Sequence, residues 1–189
     1  MPLVTSAKIR FTAREFERML DADVFGTTRV ELINGRVYRM TQKEAHVWAV
    51  SKGIRALNAI VPADEWLITQ GTLRLDDRTM VDPDFLWLTC PMGTPAARWP
   101  APLLVVEVSD TTYRKDSGIK LRTYAMHGIA DYWIVHLSAG RIEVCRSPQN
   151  LTGQLRDCRY MNITHHHRGQ TIPLLNRPAV TIAVDDLLP

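Results

Sequence analysis

The segment Leu103-Leu104-Val105-Val106-Glu107-Val108-Ser109 constrains the fold of this chain most. It carries one charge and almost no polar alternation, so it cannot be a strand with one wet face. It predicts a central strand covered on both sides. A polar stretch, SDTTYRKD, leads from it into helical spacing up to His127, with Gly128 as the C-cap. A second apolar strand, DYWIVHL at 131–137, comes next. Strand, helix and strand over 103–135 read as a βαβ-type or split connection, which requires a sheet with helices packed on it.

The rest of the chain supplies more strands and two more helices. Thr12-Ala-Arg-Glu15 has the spacing of a capping box and opens a short helix through Met19-Leu20. VELINGRVYRM at 30–40 is a hairpin around Asn34-Gly35, the strongest two-residue turn signal. Apolar residues at 45, 49, 50, 54, 57 and 60 predict a helix from Ala45 to Ile60, stopped by Pro62. Strands are expected in EWLITQ, TLRL and VDPDFLWL (81–88), with a turn at Asp76-Asp77-Arg78. Four prolines and Gly93 make 90–102 a loop. RIEVCR at 141–146 pairs with 131–137 around Ser138-Ala139-Gly140, and RYMNI, TIPLL and AVTIAV close the chain. The expected architecture is α/β (α+β): one domain over 1–189, with a central mixed sheet flanked by helices.

Composition excludes several classes. With 46% hydrophobic and 23% charged residues, the chain has an ordinary globular balance, which rules out intrinsic disorder. Three cysteines with no C-x-x-C fit neither a disulfide framework nor a zinc ribbon. The N-terminal MPLVTSAKIRFTAREF lacks a signal-peptide core, and no apolar run reaches membrane-spanning length, so a cytoplasmic location without membrane contact is expected. A net charge of +3 permits a nucleic-acid partner without pointing to one. No two glycines are separated by one residue, so there is no G-x-G-x-x-G. Walker A, G-x-S-x-G and H-E-x-x-H are also absent. His165-His166-His167 sits in a polar stretch and reads as a solvated loop rather than a metal site.

The anomaly is the placement of acids inside apolar segments. Glu107 is flanked by Val106 and Val108, Asp84 follows Pro83 and precedes FLWL, and Glu31 sits between Val30 and Leu32. A carboxylate buried this way costs several kcal/mol unless it is paired or binds a metal. Two acids on neighbouring strands suit Mg²⁺ or Mn²⁺, which take oxygen ligands and keep waters. A cation is also within reach. From Glu107 the strand advances about 10 Å to Asp110. A helix starting near Tyr113 and packing back returns about the same distance by Lys120. Lys120 then stands level with Glu107, whereas Lys115 falls at the helix start, beyond the strand end.

Pro83-Asp84, Glu107 on an apolar strand and a following lysine resemble the PD-(D/E)-x-K nuclease superfamily. Within it, VELINGRV (30–37), PDFLWL (83–88) and LLVVEVSDTTYRKDSGIKLRTYAMHGIADYWIV (103–135) are similar to the Uma-two family of restriction endonucleases. The resemblance covers most of the chain from about residue 10. It implies a restriction-endonuclease-like fold, Mg²⁺ or Mn²⁺ as cofactor, and hydrolysis of DNA phosphodiester bonds. Glu31, Asp84 and Glu107 match the family's acids, Lys120 its lysine and His46 a family histidine. The commoner superfamily pattern puts the lysine two residues after the glutamate, where this chain has Ser109. On this reading Asp84, Glu107 and the Val108 carbonyl hold the metal. Glu31 binds a second metal or orients water, and Lys120 assists the attack or offsets phosphate charge. A homodimer is expected, with one active site for each strand. The alternatives are a non-cleaving nucleic-acid or protein interaction module that kept the fold, or a phosphodiesterase acting on RNA or nucleotides.

Overall fold

A computed structural model describes residues 9–189; the first eight residues of the N-terminal segment discussed above lie outside the described residues. The described residues divide into two compact units, one made of those up to 40 together with 74–81 and the other of 41–73 and 82–189.

In the first unit, α1 (Ala13–Asp21) begins with the predicted capping box: Thr12 Oγ1 accepts from the Glu15 amide, and the Glu15 carboxylate accepts from the Thr12 amide. β1 (Val30–Ile33) and β2 (Arg36–Arg39) form the predicted hairpin. Asn34 and Gly35 have φ of 49° and 74°, the left-handed pair that a two-residue turn matching strand twist requires. In the second unit, α2 (Glu44–Asn58) and β3 (Trp66–Thr69) follow. The chain then supplies β4 (Leu73–Asp76) and β5 (Thr79–Val81), which complete a four-stranded sheet in the order β2-β1-β5-β4.

VDPDFLWL is therefore two strands and not one. Thr79–Val81 belongs to the four-stranded sheet, whereas β6 (Phe85–Leu88) belongs to a six-stranded one. Pro83 makes the break: it has no N–H for a ladder and restricts the residue before it. β7 (Leu104–Ser109) follows. A crossover then runs through α3 (Tyr113–Lys115), a π-helical turn (Asp116–Lys120) and α4 (Leu121–Met126) into β8 (Asp131–His136), which lies parallel to β7. β9 (Arg141–Asn150) and β10 (Cys158–His167) extend the sheet to the order β10-β9-β8-β7-β6-β3, with antiparallel pairing everywhere else. β11 (Thr171–Leu174) and β12 (Arg177–Ala183) form a separate pair. His165–His167 are the end of β10 and not a loop: Glu143, Ile142 and Arg141 of β9 face them in register. As an edge strand, β10 keeps these residues largely exposed, so their polarity does not prevent pairing.

The six-stranded sheet is covered on both faces, as the Leu103–Ser109 run predicts. Phe85, Trp87, Leu104, Val106, Val108, Trp133 and Val135 pack with Ala49, Val50 and Leu57 of α2 and with Ile172, Ile182 and Leu187. The alternate residues, including Val105, Glu107, Tyr132 and Ile134, occupy the opposite face with Tyr124 of the crossover. Among the described residues, no helix is long and apolar enough to cross a membrane.

Candidate active site

The parallel pair β7 and β8 with its crossover creates the position where a βα connection leaves the carboxyl ends of the strands, the usual ligand-binding edge of such sheets. Glu107 lies near the end of β7. The register that pairs Phe85 with Val106 sets Asp84 opposite Glu107 one step further. Residues opposed in this way have Cβ atoms about 4.5–5.5 Å apart. Both carboxylates are buried, at 5% and 4% exposure.

Each acid has its own side-chain partner. Glu107 Oε1 accepts from Lys120 Nζ at 2.8 Å and from the Tyr124 hydroxyl at 2.7 Å. Lys120 is 1% exposed, so the ammonium and its carboxylate are an internal pair. Lys120 stands level with Glu107, as the strand-and-helix arithmetic requires, and Tyr124 lies about one turn further on. The crossover is wider than an ordinary helix, however, because Asp116–Lys120 is a π turn. The Asp116 carbonyl accepts from the Leu121 amide five residues on and from the Tyr132 hydroxyl at 3.0 Å. Burial, then the charges of Glu107 and Asp116, push the Tyr132 phenol well above its ordinary value, which keeps it a donor. The Asp116 carboxylate in turn accepts from the hydroxyls of Thr112 (2.6 Å) and Ser109, tying the end of β7 to the start of the crossover.

Asp84 stands where the β6 ladder has ended, and its Oδ2 accepts from the Val108 amide at 2.8 Å. In a strand the N–H and C=O of one residue face the same neighbour, so the Val108 carbonyl shares that edge. His46 on α2 brings Nε2 within 3.0 Å of Oδ1 and 3.1 Å of Oδ2. The other ring nitrogen, Nδ1, is buried without a hydrogen-bond partner among the described residues. Asp84, Glu107, Val108, Lys120 and His46 are thus brought together by α2, β6, β7 and the crossover. Glu31 belongs to β1 of the other unit, where it is buried and paired in register with Tyr38. Lys115 is half-buried at the start of the crossover.

The donor set fits a hard divalent cation. Among the described residues no three side chains of His, Cys, Asp or Glu converge as a ready-made cage. Two opposed carboxylates and a backbone carbonyl are nevertheless what Mg²⁺ takes from a protein when water and substrate phosphate fill its remaining positions.

A neighbouring cluster escaped the sequence reading. Glu143 on β9 lies two strands from Glu107, through Ile134. It accepts from the Tyr113 hydroxyl at 3.1 Å and from Arg141 Nη2 at 2.7 Å. Its ring neighbour His136 stacks on Tyr113 with centroids 3.7 Å apart. Burial raises the Glu143 carboxyl, but the donors Arg141, Tyr113 and His136 outweigh it and hold the group below the usual glutamate range. The available signal was the one used for Glu107: an acid inside an apolar strand, here Ile142-Glu143-Val144-Cys145.

A central mixed sheet with two opposed acids at the end of its inner strands, and a lysine on the crossover against one of them, places this chain among proteins of the restriction-endonuclease-like fold. The chain belongs to the Uma2 family, described as "Putative restriction endonuclease", whose model matches residues 13–184. Among solved structures it is similar to a protein from Anabaena variabilis described as a putative nuclease belonging to DUF820. Identity is 14% over 84% of this chain and 88% of that one, with a TM-score of 0.63. At that identity the likeness shows the fold. No curated protein matches the sequence.

Proposed function

We propose that this chain is a divalent-metal-dependent endonuclease that hydrolyses DNA phosphodiester bonds. The observation that carries this reading is the opposed, buried pair Asp84 and Glu107, with Lys120 Nζ 2.8 Å from Glu107. A fold needs no such pair in its core, since replacing buried charges with apolar groups is often neutral or stabilising. Asp84, Glu107 and the Val108 carbonyl would hold Mg²⁺ or Mn²⁺. When bound, the ion supplies Lewis-acid polarisation of the phosphoryl group and acidifies water.

The chain's own residues do the rest. The Val108 amide and His46 fix the Asp84 carboxylate from two directions, so it presents its oxygens without rearranging. Tyr124 and Lys120 do the same for Glu107. The Lys120 ammonium also places fixed positive charge beside the position where negative charge grows on the phosphate. The free thiols Cys90, Cys145 and Cys158 suit a reducing compartment such as the cytoplasm. The test is incubation with supercoiled, linear and single-stranded DNA, with Mg²⁺, Mn²⁺ or EDTA. Nicking or linearisation that needs the metal supports the reading. Absence of cleavage, with melting that does not respond to Mg²⁺, rejects it in favour of a non-cleaving module.

A further inference from the structure

The outer side of α2 carries an apolar projection and a trough next to each other. Helical spacing places Val47, Trp48, Ser51, Ile54 and Arg55 together, opposite the buried His46, Ala49, Val50, Gly53 and Leu57. Trp48 is 61% exposed and Val47 53%. Beside them, between α2 and β12, runs a trough of about 580 Å³. Small side chains hollow it out, Ser51, Ala56 and Ala59 on one wall, with Thr181 and Ile182 on the other. Three charged side chains line it, Lys52, Arg55 and Asp186, and the last two have no side-chain hydrogen-bond or ion-pair partner among the described residues. Lys52 is already committed, donating to the carbonyls of Asp185 and Leu188 at 2.8 and 2.6 Å.

We propose that this face is a two-fold interface between two copies of the chain. Trp48 of each copy seats in the trough of the other, and Arg55 of each pairs with Asp186 of the partner subunit. A two-fold interface brings one patch against itself, so the patch must contain each feature together with its complement. This one does so twice, with an indole beside a hollow and, with Lys52 held by main-chain carbonyls, an uncommitted Arg55 beside an uncommitted Asp186. A nucleic acid would meet Asp186 as a like charge. A small-molecule site would be complete without the exposed Trp48 and Val47 on its rim. The inference goes beyond the cleavage reading and stands or falls without it.

Sedimentation velocity of the full chain across micromolar concentrations tests the interface. The parent is expected to sediment as a dimer of twice the 21.5 kDa chain mass. Trp48→Ala, Arg55→Asp and Asp186→Arg should each weaken it at least tenfold, with circular dichroism unchanged because these side chains are exposed. The double variant Arg55→Asp/Asp186→Arg should regain the dimer, since the pair is reversed and not lost. Three results overturn the proposal: a parent that stays monomeric at every concentration, a dimer indifferent to Trp48→Ala, or a double variant as dissociated as the singles. Quenching of tryptophan fluorescence by an oligonucleotide on a monomeric parent, lost in Trp48→Ala, would assign the trough to another occupant and equally overturn it.

Discussion

Lys120→Met is the most informative single substitution for the energetics of the site. It keeps most of the apolar stem and removes only the ammonium, at a side chain 1% exposed. The Glu107 carboxylate, 4% exposed, then loses the cation 2.8 Å from Oε1 and keeps the Tyr124 hydroxyl. Removing one partner of a buried ion pair costs about 3–5 kcal/mol, because the other charge stays buried without compensation. For a chain of this size each kcal/mol moves Tm by about 2–4 °C, so the loss should be about 6–20 °C. Sequence spacing puts Lys120 level with Glu107; its burial adds that the loss is felt in stability as well as in rate. Urea unfolding at pH 7, without divalent metal, gives the number. Adding Glu107→Gln to Lys120→Met should recover more than half of the loss, since the orphan charge is gone. Mg²⁺ should stabilise Lys120→Met more than the parent. A Lys120→Met protein within about 1 kcal/mol of the parent, or a double variant as unstable as the single, would refute the internal-pair account.

Tyr124→Phe removes a hydroxyl that donates to a buried carboxylate and should cost about 1.5–3 kcal/mol in the same unfolding assay. Gly53→Ala should destabilise by about 1–3 kcal/mol, because a Cβ there would lie 2.5 Å from Phe85 Cζ, a ring held in the core between α2 and the sheet. Glu143 is held below its ordinary value in the folded protein, so its contribution is present above about pH 4.3 and is lost as pH falls through the lowered value. Glu143→Gln should therefore narrow its stability deficit as the pH drops from 6 to 3, read by thermal melts across that range.

Much of the fold was legible because local and global signals agree. The Thr12–Glu15 box, the Asn34-Gly35 turn and the doubly covered Leu103–Ser109 run each specify one local answer, and the structure uses it. Lys120 was legible because strand rise and helix rise are fixed numbers that return the chain to Glu107. Where the reading failed, the deciding partner was distant in sequence. Which sheet Thr79–Val81 joins depends on pairing Met80 with Leu32, far upstream. His165–His167 become a strand only because β9 supplies a ladder, which a polar composition does not announce. The link between His46 and Asp84 spans 38 residues, and no periodicity predicts it. The Glu143 cluster gathers Tyr113, His136 and Arg141 from three elements around one carboxylate.

Metal-dependent cleavage by the Asp84 and Glu107 variants tests the central claim most directly. Asp84→Asn and Glu107→Gln keep size and one acceptor oxygen while removing the charge. Glu107→Gln leaves the Lys120 ammonium buried without its counter-charge and should lose stability. Both variants are therefore assayed well below their melting transitions, where circular dichroism should show the parent fold. With supercoiled plasmid and Mg²⁺, the parent should nick or linearise the DNA and EDTA should stop it, whereas each variant should lose at least a hundredfold in rate. A variant that cuts at the parent rate, or cleavage that persists in EDTA, would contradict the assignment of these two carboxylates.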